Sequence, residues 1–172
     1  DVQLHLHPQW LGAKWRDDKW KLNYSDYRMT DLSYEQIVRR LSAGKDYLES
    51  ILKPYTTEYE CIGFRSGNWI TQPSRKYLTA ISESGMLSDS SVFKWGYKNS
   101  DAAYYDYRNA FSKVRPWFTS WDDINKPNNT RSVLELPIYS KKVKFRDLLT
   151  MKRIMLSLKY LNENSVIEKA TR

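Results

Sequence analysis

Hydrophobic and polar residues alternate at the start of the chain. Val2, Leu4 and Leu6 are interleaved with Gln3, His5 and His7, and the pattern ends at Pro8. A period of two is that of a β-strand, whose successive side chains point to opposite faces. Gln9 to Asp31 is polar and aromatic without any period and predicts a long loop; such loops are uncommon in compact domains and often functional. Helical spacing begins after Ser33, which stands three residues ahead of Gln36 in the arrangement of a capping box. Ile37, Leu41, Leu48 and Leu52 then fall on one stripe, with Gly44 as a candidate interruption and Pro54 as a stop.

Cys61 to Phe64 predicts a second strand, followed by a turn at Arg65 and Gly67. Pro73 opens a second helix carrying Tyr77, Leu78 and Ile81, and Gly85 is placed as its C-terminal cap. Met86 to Phe93 predicts a third strand and Val133 to Tyr139 a fourth, in which Pro137 calls for an edge position, a bulge or an early end. Between them Asn99 to Arg131, rich in Tyr, Trp, Asp and Asn, predicts a second long excursion. A third helix is expected around Leu148, Met151, Met155 and Leu158. Strands alternating with helices predict an α/β fold with a parallel sheet. Four strands are few for closure, so the expected architecture is a partial or distorted (β/α) barrel, or an open sheet of the same type. No repeat and no linker divides the chain, which predicts one domain over 1–172.

Composition narrows the function classes. Of 172 residues 41% are hydrophobic and 28% charged, with only 6 Gly and 6 Pro, which excludes a disordered tail or a collagen-like repeat. No apolar run approaches the roughly 20 residues of a membrane-spanning helix. A single cysteine, Cys61, excludes a disulfide framework and a multi-cysteine zinc site. The net charge of +8 invites a nucleic-acid reading, but its distribution argues against one. Lys141 to Arg172 holds nine Lys and Arg against three Asp and Glu, while the rest of the chain holds nineteen against seventeen. The excess therefore belongs to a solvated helix face, and no nucleic-acid motif accompanies it.

His5 and His7 are the only histidines. At i and i+2 of a strand both imidazoles leave the same face, which suits convergence on one cation. Their strand ends at once, and parallel α/β folds bind ligands beyond the carboxyl ends of strands. Arg65 also stands where a strand ends, followed by Ser66-Gly67-Asn68-Trp69. A charged side chain there, with a glycine permitting close backbone approach, has the form of a site constructed from strand ends. Trp15, Trp20, Trp117 and Trp121 lie in the two long excursions, and Trp95 just ahead of the second. Each is a candidate sugar-stacking platform or an anchor that ties its loop to the core.

Four segments occur in order: Leu4-His5-Leu6-His7-Pro8, Phe64-Arg65-Ser66-Gly67-Asn68-Trp69, Asp89-Ser90-Ser91-Val92 and Glu135-Leu136-Pro137. Together they resemble the polysaccharide deacetylases (carbohydrate esterase family 4, the NodB-homology region), from residue 1 to about residue 140. The resemblance implies a distorted (β/α) barrel holding zinc or a similar divalent ion, and hydrolysis of an acetamide on an amino sugar. On these residues it implies His5 and His7 as metal ligands, Arg65 as a catalytic-site arginine orienting an acidic group, and Trp10, Asn68 and Trp69 as substrate-binding. The sequence departs from the family in three ways. One residue separates the histidines where the family has three, which would put the first ligand at Gln3. No histidine follows His7, and the aspartate motif is expected upstream of Asp1. A non-catalytic carbohydrate-binding relative of the same fold is accordingly the alternative expectation. A nucleic-acid-binding domain comes behind both.

Overall fold

A computed structural model describes residues 2–142 and Met155. The chain divides into two units, Asp1–Ser140 and Lys141–Arg172, and the first contains His5, His7, Arg65 and the strands that carry them. The helix expected around Leu148, Met151 and Leu158 lies outside the described residues.

In chain order the elements are β1 (Leu4–Leu6), β2 (Lys14–Arg16), β3 (Lys19–Lys21), α1 (Tyr34–Leu52), β4 (Gly63–Ser66), α2 (Ser74–Glu83), β5 (Ser88–Asp89), β6 (Tyr97–Ser100), β7 (Ala103–Asp106), β8 (Trp117–Phe118) and β9 (Leu134–Glu135). The main sheet runs β1-β4-β5-β9-β8. Its first four strands are parallel and stand in chain order, and β8 joins antiparallel at the far edge. β2–β3 and β6–β7 are separate two-stranded hairpins.

One register row crosses the parallel strands: Leu4, Phe64, Asp89 and Glu135, all buried. Helices cover this face. Gly44 of α1 admits Leu4 so closely that a Cβ there would meet both Leu4 methyl carbons at 2.9 Å. Tyr77 of α2 packs its ring on Phe64 at 6.3 Å. Residues one step along the strands point the opposite way. His5 and Arg65 are paired there, across β1 and β4, and both are exposed.

Ser33 caps α1 as a reciprocal capping box with Gln36. Ile37 and Leu41 are fully buried, and Leu48 and Leu52 pack against the same core. Gly44 does not interrupt the helix: it lies mid-helix, where burial against Leu4 outweighs its weak intrinsic propensity. Tyr77, Leu78 and Ile81 are all buried, and α2 ends at Gly85, whose φ of +73° only glycine adopts freely.

Several expectations need correction. The stretch Gln9 to Asp31 is not irregular throughout, for it contains the β2–β3 hairpin, which turns at Asp17 and Asp18 in left-handed conformation. Its inward and outward positions are all exposed, so it has no hydrophobic alternation to read. The second excursion likewise contains β6–β7 and β8. The strand expected at Cys61 to Phe64 runs two residues later, because Gln3 supplies a side-chain amide oxygen to the Ile62 and Gly63 N–H groups before ladder pairing begins. Pro137 follows the end of β9, the early stop that a missing N–H demands.

Candidate functional site

The carboxyl ends of β1, β4 and β5 meet at one place. β1 delivers His5, and the chain leaving it places His7 ahead of a 3-10 turn at Pro8–Trp10. The two rings stand edge to face, with centroids 4.7 Å apart and planes at 85°. Their Nε2 atoms approach to 3.0 Å. His5 Nδ1 lies 3.0 Å from the carbonyl oxygen of Arg65, and Gln9 Nε2 lies 3.3 Å from His7 Nδ1. Each imidazole is thus held by its outer nitrogen while the inner ones face each other. Burial, then the neighbouring His5, holds the His7 pKa below the ordinary imidazole value and favours its neutral form.

Two bonds of roughly 2.0–2.1 Å from one tetrahedral ion would span about 3.3 Å between ligand nitrogens. The observed 3.0 Å fits two adjacent positions of such an ion with a small opening. The Arg65 carbonyl behind His5 is the kind of acceptor to which a metal-ligating histidine donates its outer N–H, whereas Gln9 Nε2 donates to His7 Nδ1. Among the described residues no group of three or more His, Cys, Asp and Glu side chains could hold a metal ion. Gln3 is not a third donor here, since its amide oxygen is taken by the Ile62 and Gly63 N–H groups at 2.9 and 2.6 Å.

Arg65 projects from β4 on the same sheet face as His5. Its Nε donates to the Ser90 carbonyl oxygen at 2.8 Å and its Nη2 to the Ser90 hydroxyl at 3.1 Å. Among the described residues it pairs with no acidic group, contrary to the role that the family resemblance implies for it. The reason is strand alternation: Asp89, next to Ser90, is paired with Phe64 and faces the helices. A cleft of about 310 Å³ on the open face is lined by His5, Arg65, Ser88, Ser90 and Leu136 among others.

The turn after β4 is strained. Asn68 and Trp69 have φ of +60° and +56°, a conformation costing about 1–3 kcal/mol for each residue with a side chain. It persists because its surroundings hold it. The buried Tyr107 hydroxyl donates to the Trp69 carbonyl at 2.6 Å and takes a hydrogen bond from Thr71. The Trp69 ring, exposed on its other side, rests edge-on against Phe93 at 5.6 Å. Asn68 Nδ2 is buried with no partner among the described residues.

Trp10 is half-exposed beyond the His pair. Its ring meets Trp20 at 6.1 Å, and Trp20 meets Trp15 at 5.5 Å across the hairpin. The three rings form one exposed aromatic surface that begins three residues after His7. Trp117 belongs to the other class: it is buried, and its indole N–H donates to the Ile124 carbonyl at 3.0 Å. Trp121 packs against the core and Trp95 is partly exposed.

Sequence reasoning missed a buried carboxyl pair. Asp89 and Glu135 stand opposite each other on β5 and β9, both fully buried. Asp89 accepts from the Tyr77 hydroxyl at 2.8 Å, the Ser91 hydroxyl at 2.9 Å and the Ser91 N–H at 3.1 Å. Glu135 Oε1 accepts the Val92 N–H at 3.0 Å, and its Oε2 is buried with no partner among the described residues. Burial raises both carboxyls, and the Asp89 charge raises Glu135 further, which favours the protonated form of Glu135. The Ser91 hydroxyl completes the link by accepting the Ser66 N–H at 2.9 Å, tying β4 to β5 beneath Arg65. Only the alignment of two strands brings these acids together, and 46 residues of chain offer no local signal for it. Gln9 was missed as well, although it follows the His7-Pro8 step directly.

No helix among the described residues is long and apolar enough to cross a membrane. No family model matches the chain, and no curated protein or solved structure matches it.

Proposed function

We propose that this chain is a glycan-directed amide hydrolase of the polysaccharide-deacetylase type, with His5 and His7 as two ligands of a divalent ion, zinc before others. The carrying observation is the approach of the two Nε2 atoms to 3.0 Å at the carboxyl end of β1. Four parallel strands in chain order, as an arc of a (β/α) barrel would have, support the same reading. When bound, such an ion polarises the amide carbonyl and lowers the pKa of water. His5 and His7 would hold it by Nε2, their rings fixed from behind by the Arg65 carbonyl and by Gln9. Arg65, steadied by Ser90, presents its remaining N–H groups to the open cleft, where they suit a substrate oxygen. Trp10 and Trp69 offer exposed rings on which a sugar can stack, and Asn68 shapes the turn between them and the sheet.

Titration of the purified chain with Zn²⁺ and Co²⁺ by calorimetry tests the reading, together with acetate release from an acetylated chitooligosaccharide. Saturable metal binding lost in both His5→Ala and His7→Ala is the expected result. Binding unchanged in both variants, or none in the parent chain, overturns it.

The second reading is a carbohydrate-binding relative without catalysis, favoured by the lack of a third metal donor among the described residues. Glycan binding that survives both EDTA and His5→Ala, with no acetate released, selects it.

A further inference from the structure

The second excursion of the chain builds a cavity of its own. It has a volume of about 570 Å³ and is lined by the chain entering α2 and by Tyr104, Asp106, Asn109, Asp122, Asp123 and Asn125. That is the size of a small-ligand pocket, and it shares no lining residue with the cleft at His5 and Arg65. Asn125 is 7% exposed and fixed on both sides: its N–H donates to Asp123 Oδ1 at 3.1 Å and its Nδ2 to the Asp106 carbonyl at 2.9 Å. Its Oδ1 is buried with no partner among the described residues. A buried amide oxygen in that state is unfavourable, and a donor brought by a ligand relieves it.

We propose that this cavity is a glycan site that takes an uncharged saccharide. Three carboxylates beside Asn125 supply acceptors, and each already faces a base: Asp106 meets Arg108 at 2.6 Å, Asp122 meets Arg75 at 2.5 Å and Asp123 meets Lys126 at 3.3 Å. Hydrogen bonds from Arg108 and Arg75 hold Asp106 and Asp122 below the ordinary carboxylate value, so both are ionised at neutral pH. The six charges cancel. A cationic ligand would have to displace one of these bases, and an anionic one would meet three carboxylates. Acceptors nonetheless remain in excess, because an ionised carboxylate has about four acceptor positions and Asn125 Oδ1 adds another. A ligand rich in O–H donors and without charge matches both conditions. Tyr104, 41% exposed, adds a ring face against which the C–H face of a sugar can lie. The site needs neither a metal ion nor hydrolysis, and so goes beyond the deacetylase reading.

Calorimetric titration of the 172-residue chain in EDTA tests the proposal. The probes are neutral tetrasaccharides (N-acetylated chitotetraose, cellotetraose, xylotetraose and maltotetraose), with fully deacetylated chitotetraose as the cationic control. At least one neutral probe should bind, and more tightly than the control. Tyr104→Ala and Asn125→Ala should each weaken that binding by roughly 3–10-fold. Asn125→Ala also loses the bond to the Asp106 carbonyl, so circular dichroism checks its fold, while Tyr104→Ala probes the cavity from an exposed position. In proton–nitrogen correlation spectra of the parent, the Asn125 side-chain amide should shift as the probe saturates the chain. No binding of any neutral probe, or tighter binding of the cationic control, overturns the proposal. So does binding that neither variant weakens and that leaves the Asn125 amide unmoved. Failure here leaves the metal titration of His5 and His7 unaffected, and a chain that binds no metal leaves this site standing.

Discussion

Gly67 lies against His7 with no room for a side chain. A Cβ at position 67 would stand 2.6 Å from the Leu6 carbonyl oxygen and 3.0 Å from both Cα and Cγ of His7. Two of these three neighbours are backbone atoms, which cannot swing aside as a flexible side chain does. The glycine that follows β4 is thus the reason the turn there can press against the residue leaving β1, with Arg65 and His5 already paired in register two residues before.

Gly67→Ala is expected to displace His7 while leaving the helices intact. The loss of stability should be about 1–3 kcal/mol, the usual result of forcing a methyl group into a packed site. Metal affinity should fall to that of His7→Ala. Urea unfolding and calorimetric titration measure the two effects, and parent-like values in both would show that the close approach is dispensable.

The buried carboxyl pair makes stability depend on pH. Glu135 is raised well above its ordinary value of 4.5, so the folded state keeps a proton that the unfolded chain has released. Where the folded state binds more protons, stability falls as pH rises; the effect is absent below the ordinary carboxylate range and grows above it. For one proton the slope is about 1.4 kcal/mol per pH unit. Glu135→Gln removes this titration. Its stability should match the parent most closely near pH 4 and gain on it progressively toward neutrality. Parallel curves of melting temperature against pH for the two proteins would refute the proton assignment.

The tryptophans should divide by burial. Trp117 is 4% exposed and hydrogen-bonded, so Trp117→Ala should cost about 3–5 kcal/mol. Trp20 is 53% exposed, and Trp20→Ala should cost no more than about 1.5 kcal/mol, its edge contacts with Trp10 and Trp15 being the main loss. On the proposed function it should also weaken glycan binding while leaving metal affinity unchanged. Denaturant melts and glycan titrations check both halves. Equal destabilisation by the two substitutions would mean that the hairpin, too, serves mainly as a structural anchor.

The legible parts of the fold are those encoded by neighbours in sequence. The Ser33 and Gln36 box, the Ile37, Leu41, Leu48 and Leu52 stripe and the α2 residues Tyr77, Leu78 and Ile81 all depend on helical spacing, which a sequence displays directly. The exposed hairpins were illegible for the opposite reason. Trp15 and Trp20, like Lys14 and Lys21, are paired across a turn without a buried face to impose alternation. In the candidate site, His5, His7 and Arg65 could be singled out because strand ends and residue type mark them. The partner of Arg65 could not, since whether it meets Asp89 or Ser90 depends on the register of β4 against β5.

Local spacing along the chain was enough to settle two amphipathic helices, the alternation of helix with strand, and the common side of β1 shared by its two imidazoles, because each follows from backbone geometry over a few residues. Tertiary structure alone decided that those imidazoles meet nitrogen to nitrogen, that Gln9 stands behind one and a backbone carbonyl behind the other, and that Asp89 and Glu135 are buried side by side in the core. These relationships arise where separate strands are brought into register, and register is set by packing of the whole sheet on its helices.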